Sequence, residues 1–379
     1  MKITAIRRQR LRLALDPPFY AAWDPVPRRF FEATIVRVET DDGLVGVGSG
    51  DTMIGFEEFE RLFLGRDPRA IARHARTLET ISFHAGRYWP LEAALWDLFG
   101  QAVGEPVARL LGGAGERVAA YASLGELRAP DERAEDATAL AERGFRAVKV
   151  RIARDRIDEG IAVLAAIRDA VGDRLQLIVD LNQWWRMPGD IDPGLGPTDA
   201  RRVLARLAEV DVLWVEEPLP GEDLSGMRLL RERSGVRVAG GEMARTFGEL
   251  QRALESDALD VYQPDAVLAL GISGVRTLAE LALRRNRWFT PHTWTNGIGL
   301  LANLHLCAGV GGGPYLEFPY DPPGWTPERR DFMLSEAVMI DSQGMLEVPS
   351  ASGLGIALDE EAIAFYAVER EVSTARPAG

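Results

Sequence analysis

A single cysteine in 379 residues, Cys307, excludes any intramolecular disulfide and any cysteine-rich metal site, and it fits a reducing, cytoplasmic setting. Positive charge is also in short supply. Lys and Arg number 44 against 57 Asp and Glu, and the net charge of −13 argues against nucleic acid or an anionic membrane surface as partner. No run approaches the roughly 18 apolar residues of a spanning helix. The basic start MKITAIRRQRLRLAL has no apolar core of a leader and alternates like a strand. Low-complexity runs are missing too. What remains is 46% apolar and 27% charged residues, the balance of a globular protein, in a chain too long for one ordinary domain. A barrel of about 250 residues with a smaller companion domain is the natural partition.

Period-two patterns over 3–15 and 30–49, the second broken by Asp41-Asp42-Gly43, predict a three-stranded antiparallel meander. Residues 16–29 hold four prolines with Phe19, Tyr20 and Trp23, and are expected to form an irregular loop and candidate lid; 48–56 is a second candidate loop. Helical spacing follows over 57–64, 68–80 and 90–111, the last stopping at Gly112-Gly113. From residue 118 strand and helix patterns alternate. The expected strands are 118–123, 146–152, 175–181, 212–218, 236–242, 258–264, 287–293 and 315–319, with helices such as 156–171, 198–209, 246–255 and 272–284 between them. Eight such units predict an α/β fold, a (β/α)8 TIM-type barrel over 118–337, modified in that its last helix is irregular or missing. Residues 1–117 are expected to form an α+β capping domain, and 338–379 to return to it.

Three successive strand patterns end in acids: Asp180, then Glu216 or Glu217, then Glu242, at intervals of 36 and 26 residues. Right-handed βαβ units deliver consecutive parallel strand ends to one rim. Three carboxylates converging there repel one another unless a hard cation lies between them, which points to a magnesium site. The same rim collects Ser123, Lys149, Arg151, Asn182, Asp265, His292 and Glu317. Lys149 and Arg151, two apart on one strand, share a face and call for an anion opposite, such as a substrate carboxylate. Of four histidines, His74 and His84 fall in capping helices and His305 on an apolar helical face, all read as structural. His292 ends a strand pattern, one unit after Asp265.

These segments resemble the enolase superfamily, in its mandelate racemase/muconate lactonizing enzyme-like branch. The resemblance spans almost the whole chain. It rests on Leu91-Glu92-Ala93-Ala94-Leu95-Trp96-Asp97, Val148-Lys149-Val150-Arg151, Val179-Asp180-Leu181-Asn182-Gln183, Trp214-Val215-Glu216-Glu217-Pro218, Gly240-Gly241-Glu242, Gln263-Pro264-Asp265, Pro291-His292-Thr293-Trp294 and Tyr315-Leu316-Glu317, in barrel order. It implies a capping domain whose loops close over the barrel mouth, one Mg²⁺ per subunit held by Asp180, Glu216 and Glu242, and a homo-oligomer, dimer or octamer. It also implies His292 as general base with Asp265 as dyad partner, an electrostatic role for Lys149, and Glu317 as a hydrogen-bond donor or stabiliser at the substrate carboxylate.

Arg151 departs from the family pattern, since many members carry a second lysine there as a base on the opposite face. A guanidinium with a pKa above about 12 is a poor base and a good anion holder. One-base chemistry is therefore expected: abstraction of a proton α to a carboxylate, through an enediolate, followed by loss of a β-hydroxyl. That makes a dehydratase of acid sugars or related polyhydroxy acids, yielding 2-keto-3-deoxy acids. The alternative is a racemase or epimerase of a 2-hydroxy or amino acid derivative. Asn182, Trp184, Trp294 and Tyr20 are the candidates for lining the substrate pocket.

Overall fold

Glycine at every second position of Gly46, Gly48 and Gly50 decides how the first two layers meet. The computed structural model describes residues 1–50 and 52–374. Strands β1 (Ile3–Phe19), β2 (Arg28–Thr40) and β3 (Val45–Gly50) form the expected antiparallel meander, followed by α1 (Ile71–His84), α2 (Trp89–Val103) and the short α3 (Val107–Leu110). Helix α2 lies directly on β3. A Cβ at Gly46 or Gly48 would stand 2.1 Å from the carbonyl oxygen of Ala94 or Pro90, so only glycine allows this approach. The single helix expected over 90–111 splits because Gly104 turns left-handed (φ 74°) and Pro106 starts a new one. The helix expected at 57–64 is two 3₁₀ turns, Phe56–Glu58 and Glu60–Leu62. Of the candidate loop 48–56, residue 51 lies outside the described residues.

The barrel alternates as expected: β4 (Arg117–Ser123), α4 (Pro130–Glu142), β5 (Ala147–Arg151), α5 (Ile157–Val171), β6 (Gln176–Asp180), α6 (Pro197–Glu209), β7 (Val212–Glu216), α7 (Leu224–Arg233), β8 (Arg237–Gly240), α8 (Phe247–Glu255), β9 (Val261–Tyr262), α9 (Gly271–Leu283), β10 (Trp288–Phe289), α10 (Gly297–Val310) and β11 (Leu316–Pro319). All eight strands are parallel, in the order β10-β9-β8-β7-β6-β5-β4-β11. The last strand thus returns beside the first, and the sheet curls into a TIM-barrel-like wall. Among the described residues the only seam is between β10 and β11. Strands β9 and β10 are far shorter than the patterns 258–264 and 287–293 suggested. Pro264 and Pro291, which lack an N–H, interrupt each ladder at its C-terminal end, although the His292 N–H still donates to the Gln263 carbonyl at 3.3 Å.

After β11 only the four-residue α11 (Pro327–Arg330) follows, in place of a full eighth helix. Then β12 (Met345–Glu347) pairs antiparallel with β4, α12 (Glu360–Tyr366) comes next, and β13 (Ala367–Thr374) pairs antiparallel with β1. The N-terminal sheet therefore has the order β13-β1-β2-β3, built from both ends of the chain. Residues 375–379 lie outside the described residues.

One continuous apolar cluster runs from Ile6 and Val36 through Leu91 and Leu95 into Leu278 and Leu300, so the cap and barrel share a core. Inside the barrel, Tyr121, Ala147, Ile178, Trp214, Ala239 and Val261 form a second cluster. Residues two further along β5, β6 and β7 are Lys149, Asp180 and Glu216. The apolar layer is thus a floor, and the next inward layer is charged. The stretch 16–29 is less irregular than expected, because β1 continues to Phe19 and β2 begins at Arg28. Its middle is docked on the barrel: Ala22 donates its N–H to the Gly125 carbonyl at 2.8 Å, and Phe19 stacks on Trp294 with centroids 5.7 Å apart.

Of the three histidines expected to be structural, His84 is exposed at the end of α1 and the other two are held in the fold. His74 is buried, with Nε2 2.8 Å from the Asp67 carbonyl and its ring stacked on Phe63. His305, on α10, accepts from the Ala108 N–H at Nδ1 (3.1 Å) and donates from Nε2 to the Leu354 carbonyl (3.2 Å). It thereby ties α10, α3 and the tail together as a neutral ring, and burial pulls its pKa down to about 4. Unfolded histidine titrates near 6.5, so this stabilisation is present above about pH 6.5 and is lost as pH falls towards 4, by up to roughly 3 kcal/mol. Thermal melting between pH 7.5 and 4.5 should fall more steeply for the wild type than for His305→Gln; parallel curves would refute this role.

Candidate active site

The inward parity of β7 settles which of its two acids faces the barrel axis. Trp214 points inward, so Glu216, two residues on, does as well. The register sets Arg151 beside Asp180 and Asp180 beside Glu216, while Glu242 lies two residues beyond the end of β8. Asp180, Glu216 and Glu242 each offer a carboxylate oxygen, all within 4.8 Å of one another, and all three are buried. Glu217, at φ 49°, stands outside that group, with a buried carboxylate that finds no hydrogen-bond partner among the described residues.

Each triad member has one oxygen tied down by a neutral donor. Asp180 Oδ1 accepts from the Asn182 N–H at 2.8 Å. Glu216 Oε1 accepts from Trp214 Nε1 and Gln263 Nε2, both at 2.8 Å. Glu242 Oε1 accepts from Trp185 Nε1 at 2.8 Å. Burial raises Glu216, to about 7, and raises Glu242, because the acids crowd one another as well as leaving water. Hard oxygen donors, no sulfur and a deficit of positive charge make a set that fits a small divalent cation such as Mg²⁺.

Three cationic side chains border the triad. Lys149 Nζ stands 2.6 Å from Glu317 Oε1, 2.8 Å from Glu216 Oε2 and 3.4 Å from Asp180 Oδ2. Burial alone would lower its pKa, but these carboxylates outweigh it and hold the ammonium charged. Arg151 Nη1 donates to Asp180 Oδ2 and, at 2.9 Å, to Asn182 Oδ1. Its guanidinium lies over Trp23, 4.1 Å from the ring centroid, and 5.4 Å from that of Trp294. His292 Nδ1 is 3.0 Å from Asp265 Oδ2, which leaves Nε2 on the triad side, 3.8 Å from Glu242 Oε2. Burial opposes its protonation, yet Glu242, Glu317 and Asp265 together lift it to about 9.

Of the two roles the resemblance implies for Glu317, donor or stabiliser, its contacts here are those of an acceptor. It accepts from Ser123 Oγ at 2.8 Å, from the Thr293 N–H at 2.8 Å and from Lys149. Burial would raise its pKa, but Lys149 and His292 reverse this and hold it at about 2, as a carboxylate. It therefore anchors Lys149 and the 292–293 turn.

The pocket candidates separate. Asn182 and Trp294 border the site, the latter donating to Ser123 Oγ at 2.8 Å. Trp184 instead packs behind it, against Gly221 and Gly240, and its neighbour Trp185 lines the cavity. Tyr20 is 60% exposed and outside the cavity, which the same loop reaches through Trp23. Two supporting residues were missed. Gln263 lies in Gln263-Pro264-Asp265, where the pattern points only to Asp265, and Asn303 lies on apolar α10. Asn303 Nδ2 donates to Asp265 Oδ1 at 3.2 Å, joined there by the N–H of Val267 at 2.7 Å. A lone amide amid Leu300, Leu301 and Leu304 was the available signal.

Comparison with known proteins agrees with this architecture. The family described as Enolase C-terminal domain-like matches residues 132–362. D-galactarolactone cycloisomerase of Agrobacterium fabrum is 30% identical over 96% of this chain and 98% of its own. L-talarate/galactarate dehydratase of Salmonella typhimurium is 28% identical, covering 86% of this chain and 81% of its own. A solved structure of an L-talarate/galactarate dehydratase variant, liganded with Mg and L-glucarate, matches with a TM-score of 0.85 at 25% identity, covering 99% and 94% of the two chains.

The tethers make a testable claim about metal binding. Gln263→Leu and Trp185→Phe each remove a donor to a triad oxygen, and each should weaken Mg²⁺ binding by about 10- to 100-fold in calorimetry, with the far-UV spectrum unchanged. Glu217→Gln should change it by less than about threefold. If Glu217→Gln proves the more damaging, the triad assignment on β7 is wrong.

Proposed function

The chain belongs to the mandelate racemase-like branch of the enolase superfamily and is an enzyme of hydro-lyase or isomerase type; from that premise we propose that it dehydrates an acid sugar by one-base removal of the proton α to its carboxylate. One arrangement supports the reading: the His292 imidazole, oriented by Asp265, faces a buried carboxylate triad, and position 151, which the family resemblance makes the second base, carries an arginine.

With Nδ1–H donating to Asp265, and with the Glu242 charge that favours protonation of Nε2 taken up by a bound cation, His292 would present the Nε2 lone pair to the substrate α-carbon and accept its proton there. Negative charge then spreads into the substrate carboxylate as the enediolate. Asp180, Glu216 and Glu242 would hold a Mg²⁺ ion, which would supply Lewis-acid stabilisation of that charge when bound. Lys149, fixed by Glu317 and Glu216, adds a preorganised ammonium. The C–O bond at the β-carbon breaks, the His292 imidazolium returns its proton to the departing oxygen, and the enol left behind tautomerises to a 2-keto acid. Water leaves when that oxygen is a hydroxyl.

Racemisation needs a second proton carrier on the opposite face. Arg151 is unsuited to it, because Asp180 and Glu317 hold its proton on against the pull of burial. A second reading keeps the same base and changes only the leaving group. The 30% identical relative is named as a lactone cycloisomerase, and a ring oxygen in place of the hydroxyl would give ring opening by the same elimination.

His292→Asn should lower turnover by about 10²- to 10⁴-fold and abolish α-hydrogen exchange in D₂O. Arg151→Lys should add no exchange on the opposite face. Rapid exchange of both α-epimers by wild type, with one surviving in His292→Asn, would establish a second base and favour epimerisation. Excess EDTA, or Asp180→Ala, should remove activity from a folded protein; full turnover under either condition is incompatible with the metal-dependent reading.

A further inference from the structure

The cavity that opens from the site bears on the far end of the substrate. Its volume is about 570 Å³. Arg151, Asn182 and Trp185 line it and also touch Asp180 or Glu242, so under the proposed reaction this end receives the reacting carboxylate. The charged groups farther along the wall are Asp24, Asp155, Asp190 and Asp192, against Arg154 and Arg156.

Both of those guanidiniums are already engaged. Arg154 grips Asp190 with both terminal nitrogens, at 3.0 and 2.5 Å, and Arg156 stands 3.5 Å from Glu159. Asp190 is held a second time by Arg186, at 3.1 Å. Asp24 is likewise paired, with Arg28 at 2.9 Å, and Arg151 with Asp180, so Asp155 and Asp192 are the excess charge of the wall. A second carboxylate on the substrate would enter beside them, where among the described residues each lining arginine already faces an acid. Like-charge juxtaposition of this kind discriminates strongly. Hydroxyl groups face no such barrier: they donate to the aspartates and accept from the arginines without disturbing the pairs.

We infer that this enzyme selects sugar monoacids over diacids, with the carboxylate at the triad and an uncharged polyol chain along the Arg154–Asp190 pair. The inference rests on the proposed reaction for which end of the ligand lies at the triad. Its basis at the other end is the charge of the wall.

The test uses the full-length, Mg²⁺-loaded protein with His292→Asn, so that bound ligands persist. Calorimetry compares diastereomeric hexonates with the matching hexarates. The best hexonate should bind at least about tenfold more tightly than its hexarate; equal or tighter hexarate binding overturns the inference. Adding Asp190→Asn releases Arg154 and Arg186 for a distal carboxylate, and should shift the ratio about tenfold towards the hexarate. An unchanged ratio overturns the role given to that pair. Formation of 2-keto acid by the wild type is scored separately. Keto acid made without monoacid preference sinks this inference alone, whereas monoacid preference without keto acid sinks the proposed reaction and leaves the preference standing. Failure of both classes to bind sinks both.

Discussion

Like charge buried at the mouth of the barrel is the constraint on which the rest of this structure depends. Asp180, Glu216, Glu217, Glu242 and Glu317 are all buried within one rim, with Lys149, Arg151 and His292 among them. Carboxylates removed from water without compensation are strongly unfavourable, and close pairs repel further. The arrangement persists because hydrogen-bonded parallel strands force their ends together, and because an apolar core shared by barrel and cap stabilises those strands independently. The aromatic floor of Tyr121 and Trp214 bars water from below, with ring centroids 5.7 Å apart, while the cap loop covers part of the mouth. A core that tolerates this much electrostatic conflict marks a binding site for a cation and an anion.

The conflict is managed by donors from neighbouring segments. Glu216 is held by Trp214 of its own strand, by Gln263 beyond β9 and by Lys149 of β5. Asp265 is held by Asn303 of α10 and by backbone N–H groups just after it. Neutral N–H donors fix orientation without cancelling charge, so the carboxylates stay available to a ligand. The full cations offset repulsion, Lys149 among Glu216, Glu317 and Asp180 and Arg151 at Asp180.

Legibility from sequence followed the range of the interactions involved. The strand order and the acids at the ends of β6 and β7 were readable because period two and βαβ spacing are local rules, whereas the pairing of Asp265 with His292 came from the family resemblance. Parity alone left Glu216 and Glu217 open, yet Trp214 two residues earlier carried the answer once its ring was known to point inward. The choice between Trp184 and Trp185 was not readable. It depends on Gly221 and Gly240, which leave room for the first indole behind the site. Tyr20 and Trp23 were equivalent as aromatic residues of one loop, and only docking of Ala22 on Gly125 decides which reaches the cavity. The resemblance offers Glu317 as donor or stabiliser, and its state as an acceptor is not legible because its three partners, Ser123, Lys149 and Thr293, lie far apart in the chain.

Arg151 joins the chemistry to the mechanics of the cap. Its guanidinium donates to the triad through Asp180, borders the cavity with Asn182, and carries Trp23 of the cap loop on its face. A lysine could supply the charge at Asp180, but its point-like ammonium cannot offer a planar face to an indole while donating in plane to two oxygens. Arginine at this position therefore does two things at once. It gives up the proton chemistry available to a second lysine, and it fastens the cap loop to a residue in contact with the triad. Cap position and triad electrostatics are coupled through that one side chain, so a change in the cap loop at Trp23 reaches the charge balance around Asp180 without any contact of its own with the triad.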